Sequence, residues 1–280
     1  MPITANIVAR SIYNNQEIIT FELEYPRFIH SEFMTHRVFS RNGASSRAIP
    51  IKKQIEHIRE FTARPVLWGK NQTGMQATEL IENPEDAVQV WNIARDHAIQ
   101  SAENMLELGI HKQISNRILE PFSHMKVVLT ATEFSNWFEL RDHEDAQPEI
   151  QELAKKMKEA MEKTPAKKLN VNEWHVPYYK DGCWCHDCTE TLEDAIAISA
   201  SCCAQVSYRK LDDSLEKARN IYQRLIASKP MHASPFEHQA CPMKIEKDWK
   251  NISGITHLDR HGNYWSNNFK GWVQHRSLME

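Results

Sequence analysis

Ile19, Phe21, Leu23 and Tyr25 alternate with Thr20, Glu22 and Glu24, a period of two that a half-buried strand satisfies. The strand ends at Pro26 and leads into residues 35–47, THRVFSRNGASSR. Arg37, Arg41 and Arg47 offer planar forks of donors suited to phosphate or an imide carbonyl. Gly43, Ala44, Ser45 and Ser46 are small enough for the backbone to approach a ligand and present N–H groups to an anion. The residues alone allow two readings, a nucleotide or phosphate site and a polar surface loop with solvated charges.

The rest of the chain narrows the choice. Among 280 residues, 41% are apolar and 25% charged, as in a soluble globular protein of one large domain or two small ones. Net charge is −3, so an anion site must be a local concentration of arginine, and nucleic acid is not expected as a partner. No apolar run approaches a membrane span, and the amino terminus does not resemble a signal peptide. Eight glycines, with no GxGxxG or GxxxxGK[ST] string, speak against Rossmann and P-loop sites. Six cysteines in so long a chain do not form a secreted disulfide framework, so we expect a cytoplasmic protein with reduced thiols.

Beyond a polar, irregular segment reaching Asn83, helical patterns dominate. Asn83 and Pro84 open a helix through Val88, Trp91, Ala98 and Met105 that stops at Gly109. A short helix carries Ile114, Arg117 and Ile118. Another places Phe134, Trp137, Phe138 and Arg141 on one face. A fourth runs from Pro148 through Met161. Thr191 to Asp194 resembles a capping box before an apolar run, and residues 213–216 have a similar form. The expected fold is α+β, mostly helical with a small antiparallel sheet. It forms a single domain over residues 1–280, with a Cys- and Trp-rich insertion near 164–190 and an aromatic tail at 245–280.

Two further stretches carry chemistry. Residues 232–238, HASPFEH, contain the form of a capped turn at Ser234, Pro235 and Glu237. A metal reading would use His232, Glu237 and His238, but histidines six apart do not share a helix face. Cys183, Cys185 and Cys188 supply three thiols, with His186 or His175 as a fourth ligand, a zinc-like set lacking a second CxxC half. Free thiols are the alternative. Cys202 and Cys203 read as packing within an apolar helix, and Cys241 is the thiol nearest the histidine stretch.

Together these stretches resemble the flavin-dependent thymidylate synthases. His36-Arg37, followed by Ser45 and Arg47, matches most of that family's R-H-R-x7-S motif, and residues 232–238 reproduce its H-x-[ST]-P-F-E-H stretch. Gly109-Ile110 with Arg117-Ile118-Leu119 and Pro121, and Asn136 to Arg141 with Ala146-Gln147, resemble two intervening segments. In the family the histidine stretch comes first. Here it comes near the end, after Ala204-Gln205-Val206-Ser207-Tyr208, as a circular permutation would leave it.

The resemblance implies a homotetramer with FAD and deoxyuridylate between subunits, and methylenetetrahydrofolate and NADPH as co-substrates. His36, Arg37, Asn136, His232, Ser234 and Glu237 would hold the cofactor. Glu32, Ser45, Ser46, Arg47, Arg117 and Arg141 would bind the nucleotide, with Arg141, His232 and Ser45 nearest the chemistry. No covalent enzyme nucleophile is expected. Two positions depart from the pattern: Thr35 replaces the first arginine, and Gly43 replaces a glutamate. They leave room for a related C5 modification such as hydroxymethylation. A zinc-stabilised nucleic-acid-binding module is the reading from a different class.

Overall fold

The computed structural model describes residues 3–206, 213–244 and 249–279. Strand β1 (Thr4–Tyr13) turns through Asn14 and Asn15 into β2 (Gln16–Pro26). Both asparagines have positive φ, 45° and 60°, which suits a two-residue hairpin closed by Tyr13 opposite Gln16. A single turn, α1 (His30–Phe33), leads into β3 (Ser40–Gly43). Helices α2 (Ile51–Glu60), α3 (Pro84–Glu107) and α4 (Lys112–Leu119) then form a satellite layer before β4 (His124–Ala131). Next come α5 (Ser135–Arg141), α6 (Pro148–Lys163) and three two-residue strands: β5 (Lys167–Lys168), β6 (Trp174–His175) and β7 (Cys183–Trp184). Two helices follow, α7 (Leu192–Ala204) and α8 (Leu215–Ala227), and then β8 (Ala240–Pro242). The tail adds β9 (His257–Leu258), β10 (Tyr264–Ser266), β11 (Phe269–Lys270) and β12 (Trp272–Gln274).

The main sheet has the order β3-β4-β2-β1-β5, and its central strands β2 and β4 are largely buried on both faces. On one face Ile19, Phe21, Leu23 and Tyr25 of β2 pack with Trp137 of α5 and with Ile150, Leu153 and Met157 of α6. On the other face Ile18 meets Leu169, Ala240, Phe269 and Trp272, so the carboxy-terminal quarter covers the sheet. That second cover explains β4: its residues are buried almost continuously, leaving no alternation to read.

The fold is mixed α/β with small sheets, and it corrects the sequence reading in several respects. There are three sheets rather than one, and β1 with β5 is a parallel pair. The segment read as irregular contains α2, where Ile51, Gln54, Ile55 and Ile58 are buried at helical spacing against Ala98, Ile99, Ala102 and Leu119 of the satellite core. Thr191 caps α7 by accepting from Asp194 N at 3.2 Å. The cap of α8 is Ser214, whose side chain makes no capping hydrogen bond to the helix. Ser207 and Tyr208 lie outside the described residues. No helix among the described residues is long and apolar enough to cross a membrane.

Candidate functional site at the meeting of the arginine stretch, the histidine stretch and the tail

The arginine stretch leaves α1 as a tight turn and returns as edge strand β3, which pairs with β4. Arg141, in the last turn of α5, reaches back to this turn. Its Nε donates to His36 Nε2 at 3.0 Å and its Nη1 to Glu32 Oε2 at 3.4 Å. His36 is buried with its ring edge-on to Trp137, the centroids 4.8 Å apart. Burial first, then the charges of Arg141 and Arg41, lower its pKa to about 4. A neutral imidazole that accepts at Nε2 carries its proton on Nδ1. His36 thus serves as an acceptor that fixes Arg141, and Glu32 supplies the compensating charge. Arg41 is anchored by Nη1 to the carbonyls of Phe33 and His36, both at 3.0 Å.

Ser46 is buried and its Oγ donates to Glu120 Oε1 at 2.8 Å, while Asn116 Nδ2 donates to its carbonyl at 2.7 Å. Glu120 also receives Arg117 at 3.0 Å and lies 3.8 Å from Arg27. Ser45 Oγ accepts from Arg47 N at 3.3 Å, and the Arg47 side chain is exposed. Gly43 lies at the exposed end of β3, facing Met125. A Cβ there would sit 3.0 Å from Met125 Cε, a tight contact that a small shift of that flexible side chain relieves.

Residues 232–238 arrive beneath this strand from the end of α8. His232 and Ser234 are exposed, and Ser234–Glu237 is a 3₁₀ turn without a side-chain cap. Glu237 serves no capping box and instead forms an ion pair with Arg276 of the tail. His238 is fully buried. Its Nδ1 meets Thr130 Oγ1 at 2.8 Å, which meets Thr20 Oγ1 at 2.7 Å, which meets His175 Nε2 at 2.8 Å. Ser11 Oγ closes this chain on His175 Nδ1 at 2.9 Å. Burial lowers both histidines to a pKa of about 3, so the chain is neutral. It ties the histidine stretch to the middle of the sheet.

The tail supplies the third side. β12 pairs antiparallel with β8. Asn268 Nδ2 donates to Val38 O at 3.0 Å, and Gln274 Nε2 donates to Ser40 Oγ at 3.1 Å and to Glu237 O at 3.2 Å. Two cavities open between these segments. One, of about 460 Å³, is bounded by Arg41, Gly43, Ser45, Cys203, His232 and Ser234. The other, of about 470 Å³, is bounded by Arg37, Arg41, Glu237, Asn268, Gln274 and Arg276. Arg41 lines both.

Of the residues singled out in the sequence, Arg37, Ser45, His232, Ser234 and Glu237 therefore line these cavities. Glu32, His36 and Arg141 form one cluster beside them, and Ser46 pins the loop from below. Arg47 and Asn136 are exposed and line neither cavity, while Arg117 is engaged with Glu120 on α4. Asn268, Gln274 and Arg276 were missed. Arg41 was read as a phosphate donor from its residue type but had no place among the residues the resemblance implies, and the tail gave no signal beyond its aromatic content.

The zinc expectation is corrected. Cys183 is buried in the core beneath β2, while Cys185 and Cys188 face each other with sulfurs 3.5 Å apart. His186 lies edge-on to Trp184, and His175 is committed to Ser11 and Thr20. Among the described residues no group of three or more His, Cys, Asp or Glu side chains could hold a metal, which also excludes the set of His232, Glu237 and His238. The described cysteines are free thiols. Burial raises Cys241 to about 12 and Cys203 well above the usual thiol range, so neither is a ready nucleophile.

The flavin-dependent thymidylate synthase of Aquifex aeolicus is 27% identical over 161 residues, 56% of this chain and 49% of that protein. That of Thermosipho melanesiensis is 30% identical over 150 residues, 50% of this chain and 61% of that protein. This chain thus spans about half to three-fifths of the length of these relatives. Among solved structures, the UMP/dUMP methylase PolB from Streptomyces cacaoi bound with 5-Br UMP superposes with a TM-score of 0.49 at 18% identity. It covers 57% of this chain and 89% of that one. The family model described as thymidylate synthase complementing protein matches residues 14–166, from the hairpin turn past the end of α6. With more than half of its length matched, the chain belongs to the thymidylate synthase complementing protein family, that of the flavin-dependent thymidylate synthases.

Proposed function

We propose that the chain is a flavin-dependent enzyme that transfers a one-carbon unit from methylenetetrahydrofolate to C5 of deoxyuridylate, with NADPH as reductant. The observation that carries this reading is the convergence of Ser45, His232 and Ser234 on one cavity although nearly 190 residues separate the two stretches. That convergence also supports the circular permutation and a single catalytic domain over residues 1–280. The donor set fits FAD: guanidinium groups and carboxamides for phosphate at one end, small polar residues at the other. Arg37, Glu237, Ser234 and His232 would hold it. When bound, the flavin supplies the hydride that completes the methyl group.

The protein's part is orientation and charge. Arg141, clamped by His36 and Glu32, keeps a fixed guanidinium that favours negative charge on the pyrimidine O4 and disfavours the exocyclic amine of cytosine. Ser45 orients by hydrogen bonding rather than attacking. Arg47, Arg117 and Asn136, which line neither cavity within one chain, would act on a ligand held by another copy of a homotetramer. Exposed Val90 (67%) and Ile93 (55%) on α3 support such association.

Incubation with deoxyuridylate, methylenetetrahydrofolate, FAD and NADPH, followed by mass analysis of the base, tests the reading. A methylated base is expected. An unchanged base from flavin-loaded protein would refute it, and a hydroxymethylated one would move the assignment to a related C5 modification.

A further inference from the structure

The second cavity draws its charge from two regions of the chain. Arg37 and Arg41 belong to the arginine stretch, whereas Arg276 comes from the tail, more than a hundred residues beyond the segment that matches the family. Three guanidinium groups face one carboxylate, Glu237, so the wall keeps a formal surplus of two positive charges. Arg37 is exposed and has no side-chain hydrogen bond or ion pair among the described residues. Arg41 spends one nitrogen, Nη1, on the Phe33 and His36 carbonyls, which fixes the direction of its fork.

The tail is built to hold this position. Gln274 is buried and bonds Ser40, Glu237 and Asn268, while Asn267 donates to Gln274 Oε1 at 3.0 Å. Phe269 and Trp272 are fully buried under the sheet. Arg276 follows β12 by two residues, so its backbone is set by a strand pinned at both ends. A surface arginine with a solvated role needs no such support.

We propose that residues 267–276 form a wall of the ligand site and that Arg276, with Arg37 and Arg41, binds a diphosphate group. Taken with the flavin reading above, on which this identification of the ligand rests, that group is the pyrophosphate of FAD. Arg276 then restores a cation to a motif in which Thr35 has removed one. Glu237 has a defined part: it orients Arg276 and lowers the surplus charge, so its removal strengthens anion binding.

The test is calorimetric titration of inorganic pyrophosphate into the full chain, alone and with substitutions of opposite expected sign. Arg276→Gln should weaken binding by about tenfold or more, as loss of a charge-assisted contact does, with Arg276→Lys intermediate. Glu237→Gln should tighten binding. A merely structural ion pair would make both substitutions weaken it, and that result, or pyrophosphate binding unchanged by either substitution, would overturn the proposal. FAD and riboflavin titrations give the second readout: Arg276→Gln should weaken FAD and leave riboflavin unchanged. Equal weakening of both would count against the diphosphate contact. A wild-type chain that binds pyrophosphate but neither flavin would refute the flavin reading while leaving the diphosphate groove in place.

Discussion

Residues 35–47 and residues 183–188 are the two densest clusters of reactive side chains, and the fold treats them oppositely. The arginine stretch takes partners from far away: Arg141 bonds His36 across 105 residues, Asn268 bonds Val38 across 230, and Gln274 bonds Ser40 across 234. In the cysteine cluster Cys183 packs into the core, and the remaining polar groups are satisfied locally. Cys185 and Cys188 meet three residues apart, and Trp184 donates to the Glu190 carbonyl six residues on. Equal density of chemistry along a sequence therefore does not mean equal function. A site forms where separate segments must be brought together and held, because that is where directional groups can converge on one ligand.

The largest test of this contrast is Arg141→Ala. It removes the group through which α5 reaches the arginine stretch and leaves His36 Nε2 without its donor. Product formation should fall by about a hundred- to a thousandfold, the cost of losing one preorganised donor. Circular dichroism should report an intact fold, and Arg141→Lys, which lacks the fork, should rescue poorly. A tenfold loss or less would remove Arg141 from the site.

A smaller effect is expected beneath the histidine stretch. Thr130→Val breaks the buried chain between Thr20 and His238 and should cost about 1–3 kcal/mol in urea unfolding, the penalty for stranding a buried polar group. The same chain sets a pH dependence. His175 and His238 have pKa values lowered from the ordinary 6.5 to about 3 in the folded state, so between these values the unfolded chain binds more protons. Stability should be flat above pH 6.5 and decline as pH falls from there toward 3. A denaturation midpoint that rises on acidification through pH 5 would contradict the buried, neutral assignment.

The smallest effect belongs to the cysteine cluster. Replacing Cys185 and Cys188 together by serine should shift stability by about 0.5 kcal/mol or less, because both thiols are only partly buried and bond each other. Chelator treatment should leave the melting temperature unchanged. A fall of several degrees would restore the metal that the geometry excludes.

These regions also show what a sequence can disclose. Strand β2 was legible because Glu22 and Glu24 remain half-exposed between buried neighbours, preserving the alternation. β4 was not, because a sheet covered on both faces removes the polar half of the signal. α2 was missed: its isoleucines fall at helical spacing, but they sit among lysines and glutamates behind Pro50 in a segment read as irregular. Within the site, His36 and Ser46 belong to the motif, and both are buried, His36 bonded to Arg141 and Ser46 to Glu120. Gln274 and Arg276 could not be read at all. Their importance comes from β12 pairing beside β8, a long-range fact with no local trace.

The central claim is that the arginine and histidine stretches wall one ligand site. A double-mutant cycle on FAD affinity with Arg41→Gln and His232→Ala tests it most directly. Residues that share a cavity should couple, with an interaction energy of about 0.5–3 kcal/mol. Strictly additive losses, or loss from one substitution and none from the other, would mean that the two stretches serve different surfaces.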